Sequence, residues 1–171
     1  EFYLGEDPKT AINKMLVNFD RRFDDEMRAA AQEKGYSVRD IVIIASMIEK
    51  ETDGTDQAHI ASVIYNRLTN TSAETVGLLG IDATLVYALG RPITQDDYQT
   101  ADTPYNTYKY QGLPPGPISN PGMVAIRAAM NPDSTSDYYY VLGNDGKHHF
   151  FKTLKGQQDF IAQQQAEKRS G

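Results

Sequence analysis

The stretch Ile41-Val42-Ile43-Ile44-Ala45-Ser46-Met47-Ile48-Glu49-Lys50-Glu51-Thr52 is the most apolar part of the chain, and it runs directly into two glutamates. Val38, Ile41, Ile44, Ala45 and Ile48 recur at helical spacing. Val42, Ile43 and Met47 make the other faces apolar too, so the segment reads as a largely enclosed helix over about 38–51. Ser37, followed three residues later by Asp40, is a capping-box variant that starts it, and Asp53-Gly54 supplies the stop. On a wheel of roughly 100° per residue, Glu49 and Glu51 fall on opposite flanks of the main stripe, with Lys50 pointing away. Both glutamates are thus boundary residues. A carboxyl held against apolar walls has its ionised form disfavoured, which raises its pKa and suits it to donate a proton near neutral pH. Glutamates at a helix end that are merely solvated are the alternative, and the pattern does not choose between the two residues.

Upstream, Asp7-Pro8 sets an N-cap and a proline at the first helical position. Ile12, Met15, Leu16, Phe19, Phe23 and Met27 then mark one face of a long helix ending near Gly35. Downstream, Ile60, Val63, Ile64 and Leu68 stripe a helix over about 56–68, which predicts a helical hairpin around Asp53-Gly54 and lets Tyr65, Asn66 and Arg67 turn back toward the glutamates. Residues 69–80 are rich in Ser, Thr and Gly and read as an exposed loop that can serve as the lip of a cleft. Asp82 opens a short helix closed by Gly90, and Thr94 to Asp97 begins another turn.

Residues 103–121 lack periodicity but carry Tyr105-Asn106-Thr107-Tyr108 and Gly112-Leu113-Pro114-Pro115-Gly116-Pro117-Ile118, a stiff aromatic segment with the stacking faces and amides that sugars need. A proline-stiffened connector is its plain structural reading. Asn120-Pro121 caps a further helix that Asn131-Pro132 terminates. Tyr138 to Leu142 and His148 to Phe151 flank Gly143-Asn144-Asp145-Gly146 as a β-hairpin, and Thr153 begins a last helix. The fold class is therefore α+β: a helix-rich single domain with a small antiparallel hairpin near the C-terminus.

The chain has 171 residues, 17 basic against 23 acidic, a formal net charge of -6 and no cysteine. That excess of acid offers no footprint for nucleic acid or an anionic membrane surface. Without cysteine, disulfides, thiol catalysis and thiolate metal sites have no residues to build on. No Gly-x-Ser-x-Gly elbow and no phosphate-binding glycine fingerprint is present. His148 and His149, adjacent on one strand, face opposite ways and do not share a metal. Carboxyl chemistry with aromatic and amide groups nearby is what remains, and it points toward a glycan.

Four separate motifs, Ala45-Ser46-Met47-Ile48-Glu49-Lys50-Glu51-Thr52, Ala61-Ser62-Val63-Ile64-Tyr65-Asn66-Arg67-Leu68, Tyr105 to Tyr108 and Gly112 to Ile118, together resemble the catalytic domain of the YceG-like (MltG) family of endolytic murein transglycosylases. The segment between Leu68 and Asp82 is longer than the family pattern, and Ala83 stands where proline is common. The resemblance implies that Glu51, second glutamate of a Glu-x-Glu-Thr motif, is catalytic. It also implies cleavage between N-acetylmuramic acid and N-acetylglucosamine in peptidoglycan strands to a 1,6-anhydromuramoyl end, without metal or cofactor. Glu49, as a residue tuning Glu51, and Asn66, Asp82, Tyr105, Asn106 and Thr107 are the substrate-side candidates. The implied setting is a single-pass membrane protein whose anchor precedes this part, whose catalytic domain faces the cell wall, and which works beside cell-wall synthases. A muramidase that hydrolyses the same bond using Glu49 or Asp82 as second acid, and a non-catalytic wall-binding module, are the competing classes. A pyridoxal-phosphate lyase would need a Schiff-base lysine, and Lys50 lies on the wrong side of the helix.

Overall fold

The computed structural model describes residues 2–52 and 54–170, and its backbone divides into two compact units, residues 1–38 and 39–171. The first unit holds α1 (Pro8–Arg22) and α2 (Asp25–Glu33). The single long helix expected here is broken in two. The Asp24 side chain accepts from the Met27 amide at 2.9 Å, caps a new helix and ends the path of the old one at Phe23. Asp7 caps α1 in the same way through the Thr10 amide.

The second unit is built on α3 (Val38–Glu51), which has the expected bounds. Ile41, Ile43, Ile44, Ala45, Ser46, Met47 and Ile48 are all buried, so the helix is enclosed through its middle turns and emerges at both ends. Removing that much aliphatic surface from water stabilises the unit at roughly 25 cal/mol per Å². Asp53, half of the expected stop, lies outside the described residues; Gly54 adopts φ +104°, a backbone conformation that disfavours any side chain.

α4 (Gln57–Thr69) follows α3 across the turn at Gly54 and packs on α7 (Met123–Met130). The proline-rich segment lies on the flank of α3. Buried Ser46 accepts from the Ile118 amide at 3.0 Å, and its carbonyl accepts from the Ser119 hydroxyl at 3.0 Å. α7 is capped at Gly122, not at Asn120-Pro121 as the sequence had promised. Between α4 and α7 lie α5 (Asp82–Leu89), closed by left-handed Gly90 as expected, and the single turn α6 (Asp97–Thr100).

The strands β1 (Tyr139–Leu142) and β2 (His148–Phe151) pair antiparallel with Tyr140 opposite Phe150 and Leu142 opposite His148. α8 (Leu154–Ser170) packs back on both strands. The architecture is α+β, helix-rich with one two-stranded sheet near the C-terminus, as the sequence pattern indicates.

Candidate active site

The enclosed helix ends at the wall of a cavity of about 590 Å³, large enough for sugar units. Glu51 from α3, Arg67 from α4, Asp82 from the first turn of α5, Tyr108 from the proline-rich segment and Tyr140 from β1 meet there. Residues 74–80 form the opposite lip, with Leu154 and Gln157 of α8 behind it. The expected lip of the cleft is thus a real wall, tethered by Gln111, which donates to the Val76 carbonyl, and by Glu74, which accepts from the Leu154 amide at 3.0 Å. Val76 has φ +46°, and among the described residues it is the one non-glycine with positive φ. A β-branched residue there costs on the order of 1–3 kcal/mol, which the tethers on this lip offset.

Glu51 is half-buried, and burial pushes its carboxyl above the usual glutamate range. The Tyr140 hydroxyl donates to its Oε2 at 2.7 Å and acts in the opposite sense, favouring the ionised form. The negative charge of Asp82 raises it further, while a backbone hydrogen bond at Ala83 and the nearby His148 lower it. The net direction is upward because loss of water dominates. Asp82 receives the Tyr108 hydroxyl on Oδ1 and the Tyr98 hydroxyl on Oδ2 at 3.3 Å. Both phenols are pushed above their ordinary value, chiefly by burial and also by Asp82, so they remain donors. Arg67 is buried without a carboxylate: its Nε donates to the Tyr138 carbonyl at 2.6 Å and its Nη1 to the Leu79 carbonyl, leaving its positive charge at the cavity wall.

Of the residues nominated from sequence, Glu51 and Asp82 come together in the cavity. Glu49 sits on the other flank of α3, where its Oε2 accepts from the Gly122 amide at 3.1 Å and helps start α7. Asn66 donates to the carbonyls of Thr135 and Asp137 at 3.1 and 3.0 Å, fastening the approach to the hairpin. Asn106 is wholly buried, donating to the carbonyls of Tyr98 and Ala101 and accepting from the Tyr108 amide. Thr107 is buried as well and accepts from the Ile81 amide at 2.9 Å. Tyr105 lies against the Tyr87 ring, centroids 5.2 Å apart. None of these five lines the cavity that Glu51 faces.

Sequence reasoning passed over Tyr140, Tyr108, Glu74 and Gln157; Arg67, expected to turn back toward the glutamates, does reach the cavity with Glu51. Tyr108 stood inside a quoted motif, and Tyr140 inside a run of three tyrosines whose alternation marks only a strand; which face meets α3 is a tertiary fact. His148 and His149 point apart as expected, His148 Nδ1 to Asp56 at 2.6 Å and His149 Nε2 to Asp145 at 3.1 Å. Among the described residues no group of three or more His, Asp or Glu is arranged to hold a metal ion.

The chain is similar to known proteins over most of its length. The endolytic murein transglycosylase of Bacillus subtilis is 36% identical over 159 residues, 90% of this chain and 43% of the relative. The enzyme of the same name from Streptococcus pneumoniae is 32% identical over 141 residues, 78% of this chain and 24% of the relative. The chain therefore spans less than half the length of these curated relatives. The 2.6 Å crystal structure of a YceG-like protein from Listeria monocytogenes superimposes with a TM-score of 0.81 at 34% identity, covering 93% of this chain and 51% of that one. The sequence profile of the YceG-like family matches residues 1–163, and with that extent of agreement the chain belongs to the YceG-like family.

Proposed function

We propose that this chain is the catalytic part of an endolytic peptidoglycan lytic transglycosylase, breaking the β-1,4 bond between N-acetylmuramic acid and N-acetylglucosamine and leaving a 1,6-anhydromuramoyl end. The observation that carries this reading is the state of Glu51, whose carboxyl is held toward its protonated form at the wall of a sugar-sized cavity. Glu51 donates its proton to the glycosidic oxygen as the bond from the muramoyl anomeric carbon to that oxygen breaks. The carboxylate so formed takes the proton of the muramoyl C6 hydroxyl as that oxygen attacks the anomeric carbon. The acid is regenerated, and no water is consumed. Charge on Glu51 between the two transfers is met by the Tyr140 hydroxyl, the Ala83 backbone and the field of Arg67.

Hydrolysis of the same bond would need a second carboxylate to activate water or to form a covalent intermediate. The names of the relatives favour transglycosylation. We keep Asp82 as the substrate-side carboxyl. Glu49, Asn66, Tyr105, Asn106 and Thr107 we read as supports of the backbone around the cavity. Residues 1–171 then act as one catalytic module of a longer protein. That protein works on the outer side of the membrane, held there by a single span outside these residues and acting beside cell-wall synthases. Among the described residues no helix is long and apolar enough to cross a membrane.

The reading is tested by digesting purified glycan strands and weighing the products. Ends one water lighter than a reducing muramic acid mean transglycosylation, whereas reducing ends mean hydrolysis and would overturn it. The alkaline limb of the pH–rate profile reports loss of the Glu51 proton and should lie above the usual glutamate range. Because the charge of Asp82 raises the Glu51 pKa, Asp82→Asn should move that limb to lower pH in measurements of kcat against pH. A limb that stays in place would mean that Asp82 does not act on the acid.

A further inference from the structure

We propose that Tyr140 is the positioning residue for Glu51, its hydroxyl holding Oε2 as the carbonyl oxygen of the acid so that the transferable proton resides on Oε1. The proposal rests on the reading of Glu51 as the acid and adds what fixes it. An unfixed carboxylic acid can carry its proton on either oxygen and rotate between them, and each misdirected state is unproductive. A donor locked on one oxygen removes that ambiguity. Tyr140 keeps its proton in this setting, because burial and the neighbouring Glu51 push its phenol well above the ordinary value, and its hydroxyl is therefore available to donate to Oε2.

The tyrosine is itself held from several sides. Its carbonyl accepts from Gln157 Nε2 at 2.6 Å, which ties β1 to α8. The His148 ring meets the Tyr140 ring edge-on at 5.4 Å, Phe150 lies at 6.0 Å, and the Arg67 guanidinium stands 5.8 Å from its centroid. His148 is fixed in turn by Asp56 at 2.6 Å, and the other oxygen of Asp56 accepts from the Thr52 hydroxyl at 2.7 Å. Thr52 follows Glu51 in the chain. The contacts therefore close a circuit from Glu51 through Tyr140, His148, Asp56 and Thr52 back to the backbone of Glu51. Such a circuit fixes both the root of the acid and one of its two oxygens, an arrangement with more reach than a single hydrogen bond.

The groups that face Glu51 are Asp82 on α5, Arg67 on α4, Tyr108 on the proline-rich segment, His148 on β2 and Tyr140 itself. Of these, Tyr140 supplies the one side-chain hydrogen bond acting on its ionisation. Tyr140→Phe keeps the ring and its packing. It should lower kcat for anhydro-end formation by roughly ten- to a hundredfold while leaving KM within about twofold. It should also move the alkaline limb upward, because the hydroxyl favours the carboxylate. Replacing Tyr140 by 3-fluorotyrosine strengthens the donor without changing the fold, and should move the limb downward. A purely structural role would shift the melting temperature and leave the limb where it is. Thermal melts accompany both variants, and the fluorotyrosine protein decides the matter if the phenylalanine variant does not fold. Wild-type kcat and an unmoved limb, in a protein whose Glu51→Gln variant is inactive, would overturn the role of Tyr140 and leave the acid assignment standing. An active Glu51→Gln variant would instead sink the acid assignment itself.

Discussion

Glu51→Gln is expected to slow formation of anhydro ends by roughly a hundred- to ten-thousand-fold or more, with little change in melting temperature. The glutamine side chain has the shape of the acid and can still accept the Tyr140 hydroxyl through its amide oxygen, so the contact across the cavity survives. What it lacks is a proton to give to the leaving oxygen and a carboxylate to take one back. Both halves of the reaction fail together. Strand binding should persist, because the wall made by Arg67, Tyr108, Tyr139 and the 74–80 lip is untouched. Rates on purified strands, set beside a binding assay with the same strands, check this. Full activity in the glutamine variant would place the chemistry elsewhere.

The second large effect concerns folding. Asn106→Ala should destabilise the second unit by about 3 kcal/mol or more, since it orphans three backbone groups in a site with no exposed surface. These are the Tyr98 and Ala101 carbonyls, which lose their donor, and the Tyr108 amide, which loses its acceptor. At roughly 2–4 °C per kcal/mol for a domain of this size, the melting temperature should fall by about 6–12 °C. If Asn106 gripped substrate instead, the same change would raise KM and spare the melt. Chemical denaturation and strand kinetics on one preparation separate the two results. Tyr108 would lose its place over Asp82 as a secondary effect, so any activity loss should scale with the fraction unfolded near the melting point.

How much of this was legible in the sequence depended on the range over which each feature is determined. α3 could be placed to the residue because its apolar run, its start signal and its acidic end are all local. The hairpin was equally plain, with turn residues between two aromatic runs. The break between α1 and α2 was hidden because Phe19, Phe23 and Met27 keep helical spacing across it. The Asp24-Asp25-Glu26 cluster at the new N-terminus was the signal that could have shown it. For α4 the stripe and length were legible, but nothing local says that α7 packs on it or that the proline-rich segment takes the flank of α3. The site divides in the same way. Glu51 could be narrowed to one of two residues from the pattern and singled out by family resemblance. Asn106 and Thr107 drew attention because polar residues in an aromatic loop look like ligand contacts, whereas their hydrogen bonds hold that loop in shape. Arg67 reaches the cavity as the end of its helix suggested, whereas Tyr140 reaches it through strand pairing, which no window of sequence displays.

The contact between Tyr140 and Glu51 spans 89 positions of the chain. On the proposed reading, this separation leaves the acid without its partner until both segments are in place. A nascent chain that has completed α3 already carries the acid, yet without β1 there is nothing across the cavity to hold it. Closing so long a loop is a late and entropically costly event in folding. On that reading, competence therefore waits for the hairpin, and a product truncated before it would have the glutamate without its partner.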